Sequence, residues 1–494
     1  MIKNIFANYV GKLWSFISIY LFVPIYINLL GIESYAIINF YSVLLSILLI
    51  ADAGLSATLN RELAKSENKI YQGNLVRTIE YLYFIIAFFL FLFVYLFSET
   101  ISDNFLNSEN ITQEKLTLCI KLMGASISFQ LLSILYNSGL MGLQKQVKSN
   151  TIQFFSSLFR QGFVLLPLYF FKTLEVFFIW QLIINIIFFL ISREALWRYI
   201  KNETQPFFKK KIIKDIGRFT LGMMAMSVIA ALNTQLDKLL VSNMLSLKTF
   251  GYYSIASILA QSPSILILPI AVAILPRMTK MIAKNQKSEL QELFHNYSFI
   301  IASIASTITL ILFLYTKDFI YIWTNDLAIS SEINYVSKVL LIGGLFLSLQ
   351  YMPFHLAIAN GHTKTNIVLG LILAILIAPS LYFSINSYGL IGATFPWLIL
   401  NIIATFYLGY FIIKIFLIGN FKVWLFKDTM LPVLVSLFVG ILAFTFISDF
   451  VVGYNVLIIG SIIGFINLLL CALIFIKFYL NLSLKQFVIT YVKK

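Results

Sequence analysis

The chain has 494 residues, of which 60% are hydrophobic and 12% are charged, and its formal net charge is +15. A soluble domain carries roughly 25% charged residues because its surface must face water, so this composition excludes an ordinary soluble protein. The apolar residues come in blocks of about twenty, the length of helix that spans roughly 30 Å of hydrocarbon. Blocks such as 81–97, YLYFIIAFFLFLFVYLF, do not alternate as the strands of a β-barrel do. We therefore expect an all-α polytopic membrane protein.

Taken in chain order, the apolar blocks predict about fourteen transmembrane helices. The predicted spans lie near 8–30, 35–52, 79–98, 116–138, 150–171, 174–192, 218–242, 250–274, 294–316, 335–358, 364–384, 388–413, 429–448 and 454–477. Asn386 and Gly389 supply the turn between the eleventh and twelfth spans. Because no loop exceeds about 25 residues, the function is expected to reside in the membrane bundle.

Lys and Arg residues are distributed unevenly between the two sides of the membrane. With a cytoplasmic N-terminus, the inside segments carry about 27 of them and the external loops about 4. The richest inside loop is Arg193–Arg218, whereas the external loop Ser98–Glu114 is acidic. This asymmetry predicts that both termini are cytoplasmic. It also explains the net charge through topology and contact with membrane lipids, so we expect no binding to nucleic acid.

The second half of the chain resembles the first half. A shift of about 215 residues lays Asn28 over Asn243 and Lys65 over Lys280. Because six spans separate the copies, the repeat is parallel, with a pseudo-two-fold axis along the membrane normal. Such a repeat predicts two six-helix lobes around a central cavity that opens alternately to each side. The predicted divisions are an N-terminal lobe (1–200), a cytoplasmic linker (201–217), a C-terminal lobe (218–415), and two added helices with a cytoplasmic tail (416–494).

Arg160 is the most central charged residue of the predicted spans. It lies near the middle of the fifth span, in a polar stripe at helical spacing. The other members of the stripe are Gln153, Ser156, Ser157 and Gln161. A guanidinium stays charged at physiological pH and binds phosphate bidentately, which makes Arg160 a candidate for binding an anionic headgroup. The alternative is a structural salt bridge.

Four more lysines lie inside predicted spans. Lys12 shares a face of the first span with Asn8 and Ser15, and either lines the cavity or reaches back to the cytoplasmic interface. Lys121 and Lys338 lie within about two turns of external span ends, where reaching the interface is again the alternative. Lys238 lies in the outer part of the seventh span.

Asp237 is the acidic residue of the seventh span, next to Lys238. It could carry a coupling proton or hold a cavity cation, and a structural ion pair is the alternative. Cations inside the spans outnumber anions about five to one, which suits an anionic cargo better than a cationic drug. The chain has no phosphate-binding loop motif and no Cys/His cluster, so we expect a transporter rather than an enzyme, with no cofactor.

Several segments resemble the Wzx-type polysaccharide flippases, in the superfamily that also contains the MATE drug exporters and the lipid II flippase. The segments are ADAGLSATLNRELAK (51–65), QLDKLLVSNMLSLKTFGYYSIASIL (235–259), LPRMTK (275–280), IYIWTND (320–326), ANGHTK (359–364) and GLIGATFPWLI (389–399). Asp52, Arg61 and Asp237 are the candidate site residues that match by motif. Arg160 and Lys12 rest on their polar stripes instead.

The resemblance implies a MATE-like fold and a flippase for an undecaprenyl-pyrophosphate-linked oligosaccharide. The substrate would move from the inner to the outer leaflet of the bacterial inner membrane for O-antigen or capsule assembly. A polysaccharide polymerase and a chain-length regulator are the expected partners. Arg160 and Lys12 would clamp the pyrophosphate, with Lys121, Lys238 and Arg61 as further cations. A proton or sodium ion, bound at Asp237 or Asp52, could drive the cycle.

Three other functions are compatible with a polytopic helical protein. A cation-coupled drug exporter of the MATE type expects acidic residues at mid-membrane in the first lobe. A membrane-embedded polysaccharide polymerase expects a large external loop for its catalytic site. A passive scaffold for the assembly machinery is the third alternative. The cationic stripes and short loops favour the flippase.

Overall fold

The computed structural model describes residue 18 and residues 20–52, 54–66, 68–200, 205–362, 364–417, 420–447 and 455–480. Within these ranges the chain is almost entirely helical and contains no strand. Twelve of the described helices are long and apolar enough to cross a membrane. The predicted all-α polytopic fold is confirmed, and the chain is a multi-pass membrane protein.

The chain divides into two compact units, Met1–Gly251 and Tyr252–Lys494. The first unit contains helices α1 (Tyr20–Leu30), α2 (Ile32–Leu48), α3 (Leu55–Lys65), α4 (Lys69–Leu96), α5 (Ser98–Phe105), α6 (Gln113–Gly142), α7 (Gln146–Ser157), α8 (Leu165–Phe171), α9 (Leu174–Tyr199) and α10 (Lys210–Met244). A wider π-helical turn, Leu158–Gly162, connects α7 to α8.

The helix that follows, α11 (Leu247–Ala260), crosses the boundary between the units. The second unit continues with α12 (Ser262–Ala283), α13 (Lys287–Leu314), α14 (Thr316–Thr324), α15 (Leu327–Glu332), α16 (Asn334–Leu349), α17 (Tyr351–Ala359), α18 (Lys364–Gly392), α19 (Thr394–Phe416), α20 (Leu431–Ile447) and α21 (Asn455–Phe478). A second π-helical segment, Val423–Met430, precedes α20.

Two predicted spans are not among the twelve membrane-length apolar helices. The predicted first span ends in α1, and most of its N-terminal part lies outside the described residues. The seventh falls on α10, a helix of 35 residues with many polar side chains in its second half. The count of about fourteen spans and the lobe boundaries therefore stay predictions.

Each unit contains a 28-residue helix, α4 in the first and α13 in the second, and a short helix follows each one. The sequence FIIA occurs in both long helices, at Phe84–Ala87 and Phe299–Ala302, about 215 residues apart. The shared order of elements supports the duplication that the sequence suggested.

The core of the first unit forms where α6 packs against α4 and α9. Met123, Ile127 and Leu131 of α6 are fully buried there, while Phe88 and Phe89 of α4 are about 60% exposed on the other side. Long exposed aromatic side chains on a membrane-length helix are suited to contact with lipid. In the second unit, α12, α13 and α19 surround a separate core that includes Trp424.

The structure confirms one predicted helix boundary and corrects another. Gly389 has φ +58° and interrupts the helical geometry of α18, which confirms the predicted turn. By contrast, α4 begins at Lys69, ten residues before the predicted start at 79. It continues through charged residues because Arg77 and Glu80, one turn apart, pair with each other at 2.7 Å.

Candidate functional site

The backbone at Arg160 is wound more widely than an α-helix. The Phe163 N–H donates to the Leu158 carbonyl, five residues back, at 3.1 Å. Single π turns of this kind occur frequently at functional sites. The turn leaves the carbonyls at its centre without their usual helical donors.

Three consecutive carbonyls of the turn accept hydrogen bonds from side chains instead. The Trp180 indole N–H donates to the Phe159 carbonyl at 2.8 Å, and the Gln181 amide donates to the Arg160 carbonyl at 2.8 Å. The Tyr26 hydroxyl donates to the Gln161 carbonyl. Buried carbonyls need partners in an apolar medium, so α1 and α9 hold the turn in this shape.

The Arg160 guanidinium is held loosely by the protein. Its Nε donates to the Ser156 carbonyl at 3.4 Å, and it interacts electrostatically with the Tyr41 hydroxyl. Among the described residues, no carboxylate lies within ion-pair distance of it. The structural salt bridge considered from the sequence is therefore not formed with any described residue.

A buried polar layer surrounds Tyr41 within the first unit. The Tyr41 hydroxyl lies 3.0 Å from Ser126 Oγ and donates to Gln130 Oε1 at 3.4 Å. Asn185 of α9 donates to Ser126 Oγ at 2.7 Å. The layer connects α2, α6 and α9 at the level of Arg160. Its side chains are neutral, so the charge of this region comes from the guanidinium.

The span that carries Arg160, Gln146–Phe171, is the least buried of the twelve membrane-length helices, with 11% of its most apolar window buried. Ser156, Ser157 and Gln161 are partly exposed like Arg160. A charged side chain within a span usually faces protein or water rather than lipid. The polar stripe is therefore suited to lining a hydrated path.

The remaining predicted cations do not join Arg160 through any contact in the described structure. Lys12 lies outside the described residues. Lys121 lies over the Tyr95 ring at 4.9 Å, and Lys338 of the second unit lies over the Phe313 ring at 5.2 Å. Each of these lysines packs on the last turn of its unit's 28-residue helix, which is a cation–π contact repeated in both copies.

Asp52 lies three residues before the start of α3, and Arg61 lies in the second half of that helix. Arg61 is 46% exposed and lies 3.4 Å from Glu62. The Asp52 carboxylate accepts hydrogen bonds from the Ser56 N–H at 3.2 Å, from the Ser56 hydroxyl at 2.7 Å and from Tyr83. These bonds hold the start of α3 against α4. The sequence did not reveal this anchoring contact, because Tyr83 is 31 residues further along the chain.

Asp237 and Lys238 lie in the second half of α10. Asp237 is buried, with 7% of its surface exposed, while Lys238 is partly exposed. Asp237 is thus more enclosed than Lys238. Its role in ion coupling stays a prediction.

Glu80 is a buried residue that was not predicted from the sequence as a candidate site residue. Its carboxylate accepts hydrogen bonds from Arg77, Arg193, Tyr136 and Trp197 at 2.7–3.2 Å. We call these five residues the Glu80 cluster. Glu80 itself is 1% exposed. The three-residue spacing of Arg77 and Glu80 could have indicated an ion pair on one helix face. It was missed because the predicted span began at residue 79 and so did not include Arg77.

A second missed carboxylate lies in the second unit. Asp428, which is fully buried, accepts a hydrogen bond from Tyr479 at 2.5 Å and pairs with His295. Burial and the nearby Asp428 carboxylate raise the pKa of Tyr479. With Glu33, which accepts hydrogen bonds from Ser108 and Asn110, three buried carboxylates were not counted in the sequence. The predicted five-to-one excess of cations at mid-span took none of these three carboxylates into account, and it stays a prediction.

Metal binding has no obvious location in the described part of the chain. No group of three or more His, Cys, Asp or Glu side chains gathers there in a way that could hold a metal ion.

Comparison with known proteins gives a matching family model and a similar curated protein. A family model described as "Polysaccharide biosynthesis protein" matches residues 1–282. A candidate O-antigen transporter of Shigella flexneri is 23% identical over 381 residues, which cover 74% of this chain and 87% of the relative.

Two solved structures share the fold. The lipid II flippase MurJ, in an inward closed conformation, superposes with a TM-score of 0.75 at 18% identity, covering 97% of this chain and 99% of MurJ. An inward-facing multidrug resistance transporter of the MATE family superposes with a TM-score of 0.68 at 15% identity, covering 83% and 96%. These matches confirm the resemblance and the MATE-like fold that the sequence motifs suggested.

Proposed function

The chain belongs to the polysaccharide biosynthesis protein family, and from this premise we propose that it is a flippase for a lipid-linked oligosaccharide. The proposed substrate is an undecaprenyl-pyrophosphate-linked repeat unit of O-antigen or capsule. The protein would reside in the bacterial inner membrane with both termini cytoplasmic, and would move the unit from the cytoplasmic to the outer leaflet without catalysing a covalent step. The names of the Shigella relative and of MurJ support this class of cargo.

The proposal depends mainly on the surroundings of Arg160. Its guanidinium has no carboxylate partner among the described residues, and its backbone is fixed by side chains of α1 and α9. A loosely held guanidinium on a fixed backbone keeps donors free for pyrophosphate, and its fork matches the geometry of phosphate oxygens. The surrounding Ser and Gln side chains offer hydrogen bonds to sugar hydroxyls.

The chemistry of the substrate requires such a path. The hydroxyl groups of a glycan would lose their hydrogen bonds to water in hydrocarbon, at a cost of several kcal/mol each. A polar stripe replaces those bonds while the polyprenyl tail stays in the lipid. We propose that a coupled proton or sodium ion, with Asp237 as its candidate site, supplies the driving force.

The drug-exporter alternative expects a mid-membrane acid available to a cation in the first unit. Three of the described acids there are already engaged: Glu80 with two arginines, Glu33 with Ser108 and Asn110, and Asp52 with Ser56 and Tyr83. Asp237, which also belongs to this unit, is the acid that we assign to the coupling ion. Arg160, in contrast, has no such partner. The charge arrangement of this unit therefore favours an anionic cargo.

Complementation tests the proposal. A bacterial strain that lacks its own flippase and makes a compatible repeat unit would express the wild-type chain, Arg160→Gln or Arg198→Gln. Arg198 is a matched control because it pairs with an exposed carboxylate, Glu194, on the surface of α9. We expect surface polymer with the wild type and the control, and a loss of at least tenfold with Arg160→Gln at equal membrane abundance. Normal polymer with Arg160→Gln would contradict the assigned role.

A further inference from the structure

The Glu80 cluster lies at the end of the first unit that carries the basic loops, far along α9 from Arg160. Arg193 follows Gln181, which binds the Arg160 carbonyl, by twelve residues on the same helix. At 1.5 Å per residue this separation is about 18 Å along the helix axis. The cluster is therefore a different place from the Arg160 stripe, and the proposed function does not use it.

The cluster holds more positive than negative charge. A single carboxylate, Glu80, pairs with Arg77 at 2.7 Å and with Arg193 at 2.9 Å. Each arginine uses one nitrogen for this pair, Nη1 in Arg77 and Nε in Arg193. A guanidinium has five donors, so each arginine keeps at least one terminal amino group that no acceptor among the described residues occupies.

The two arginines are fixed in position and still accessible. Their side chains are 29% and 40% exposed, while the Glu80 side chain is 2% exposed beneath them. The Arg77 guanidinium also lies 4.8 Å from the centre of the Trp197 ring, which restricts its plane. A pair of guanidinium groups held open by a buried carboxylate is preorganised to bind a planar or tetrahedral oxyanion.

Backbone and lysine groups nearby add positive potential. The Lys209 N–H donates to Thr78 Oγ1 at 3.0 Å, which holds the N-terminus of α10 against the turn of α4 that carries Arg77. That N-terminus has no side-chain cap, and the free N–H groups of a helix start favour anions. Lys69 Nζ donates to the Tyr199 carbonyl at 3.1 Å at the end of α9.

We propose that Arg77 and Arg193 form a second anion site, which binds a phosphate group at the membrane surface on the side of the basic loops. The phosphate belongs either to an anionic phospholipid of the bilayer or to a polyprenyl pyrophosphate. The chemistry of recognition is the same for both, since each presents phosphate oxygens at the depth of the headgroups. Binding of a bilayer phospholipid at this site does not depend on the proposed function, whereas binding of a polyprenyl pyrophosphate rests on it.

Native mass spectrometry of the purified full-length protein tests the proposal. Phosphatidylglycerol, undecaprenyl pyrophosphate and diacylglycerol, which has no phosphate, are titrated separately. In the Arg77→Gln/Arg193→Gln variant we expect at least tenfold weaker binding of one or both phosphate-bearing lipids and no change for diacylglycerol. Loss for phosphatidylglycerol alone identifies bilayer lipid as the ligand, and loss for undecaprenyl pyrophosphate alone identifies the polyprenyl carrier.

Arg198→Gln is the matched control, because it removes a guanidinium five residues further along α9 without touching the cluster. We expect its affinities to stay within twofold of wild type. If Arg198→Gln weakens binding as much as the double variant does, general surface charge explains the effect and the proposal is overturned. Unchanged affinities in the double variant also overturn it.

The double variant leaves Glu80 buried without a cationic partner and can fail to fold. Adding Glu80→Gln gives a triple variant in which no charge of the cluster remains unpaired. Its folded state is checked by its elution as a monodisperse peak in detergent. Binding of both phosphate-bearing lipids within twofold of wild type in this variant would overturn the proposal, and a tenfold loss supports it.

Discussion

Replacing Glu80 by Gln removes the negative charge between two guanidinium groups while keeping the size of the side chain. Removing one partner of a buried ion pair typically costs about 3–5 kcal/mol, because the other charge is left unpaired. Arg77 and Arg193 are 29% and 40% exposed, so water stabilises part of the stranded charge. We therefore expect Glu80→Gln to lower the free energy of unfolding by about 2–3 kcal/mol.

The measurement is equilibrium unfolding of the purified protein in mixed micelles, followed by tryptophan fluorescence. A loss of about 2 kcal/mol corresponds to roughly a 30-fold change in the unfolding equilibrium. Glu194→Gln is the control, since Glu194 and its partner Arg198 are 65% and 72% exposed. Exposed pairs contribute about 0.5 kcal/mol or less. Equal destabilisation by the two variants, or a change below about 0.5 kcal/mol for Glu80→Gln, would refute the assignment of Glu80 as the centre of the cluster.

Two further predictions concern packing and pH. Gly344→Ala places a Cβ 2.1 Å from the Ala260 carbonyl oxygen, a backbone atom that cannot rotate away, so we expect a loss of about 1–3 kcal/mol in the same unfolding assay. Gly217→Ala meets nothing within 4 Å and should be neutral or stabilising by about 0.5–1 kcal/mol, and a reversed order of these two variants would contradict the described packing. Because the pKa of Tyr479 is raised in the folded state, its contribution to stability is complete below its unfolded pKa of about 10 and is lost as the pH rises further. Tyr479→Phe should therefore be less stable than wild type at pH 7, and the difference should shrink above about pH 10, whereas a constant difference would exclude this linkage.

The sequence predicted the fold class and most span positions because both depend on local properties. Blocks of about twenty apolar residues specify membrane helices whatever surrounds them. The turn at Gly389 was equally local, since a positive φ favours glycine. The start of α4 could not be placed in this way. When only hydropathy is considered, the charged residues Arg77 and Glu80 suggest the end of a membrane helix. Glu80 in fact pairs with Arg77 and with Arg193, which is 113 residues away from it, and these pairs keep both Arg77 and Glu80 inside the helix.

The candidate site was predicted in part. Arg160 stood out because a lone arginine in an apolar span has few explanations. The π turn beneath it could not be predicted, because it depends on Trp180, Gln181 and Tyr26 meeting three carbonyls from other helices. The pairing of Asp428 with His295 was hidden for the same reason, since 133 residues separate the two.

The most direct test of the account is flipping by the purified protein. Liposomes with the wild-type chain, Arg160→Gln or Arg198→Gln would receive a fluorescent undecaprenyl-pyrophosphate-linked oligosaccharide, and a membrane-impermeant quencher would report its movement between leaflets. We predict movement with the wild type and the control, and at least a tenfold slower rate with Arg160→Gln. Equal rates for wild type and Arg160→Gln would contradict the role of Arg160, and a wild-type rate equal to that of protein-free liposomes would contradict the flippase itself.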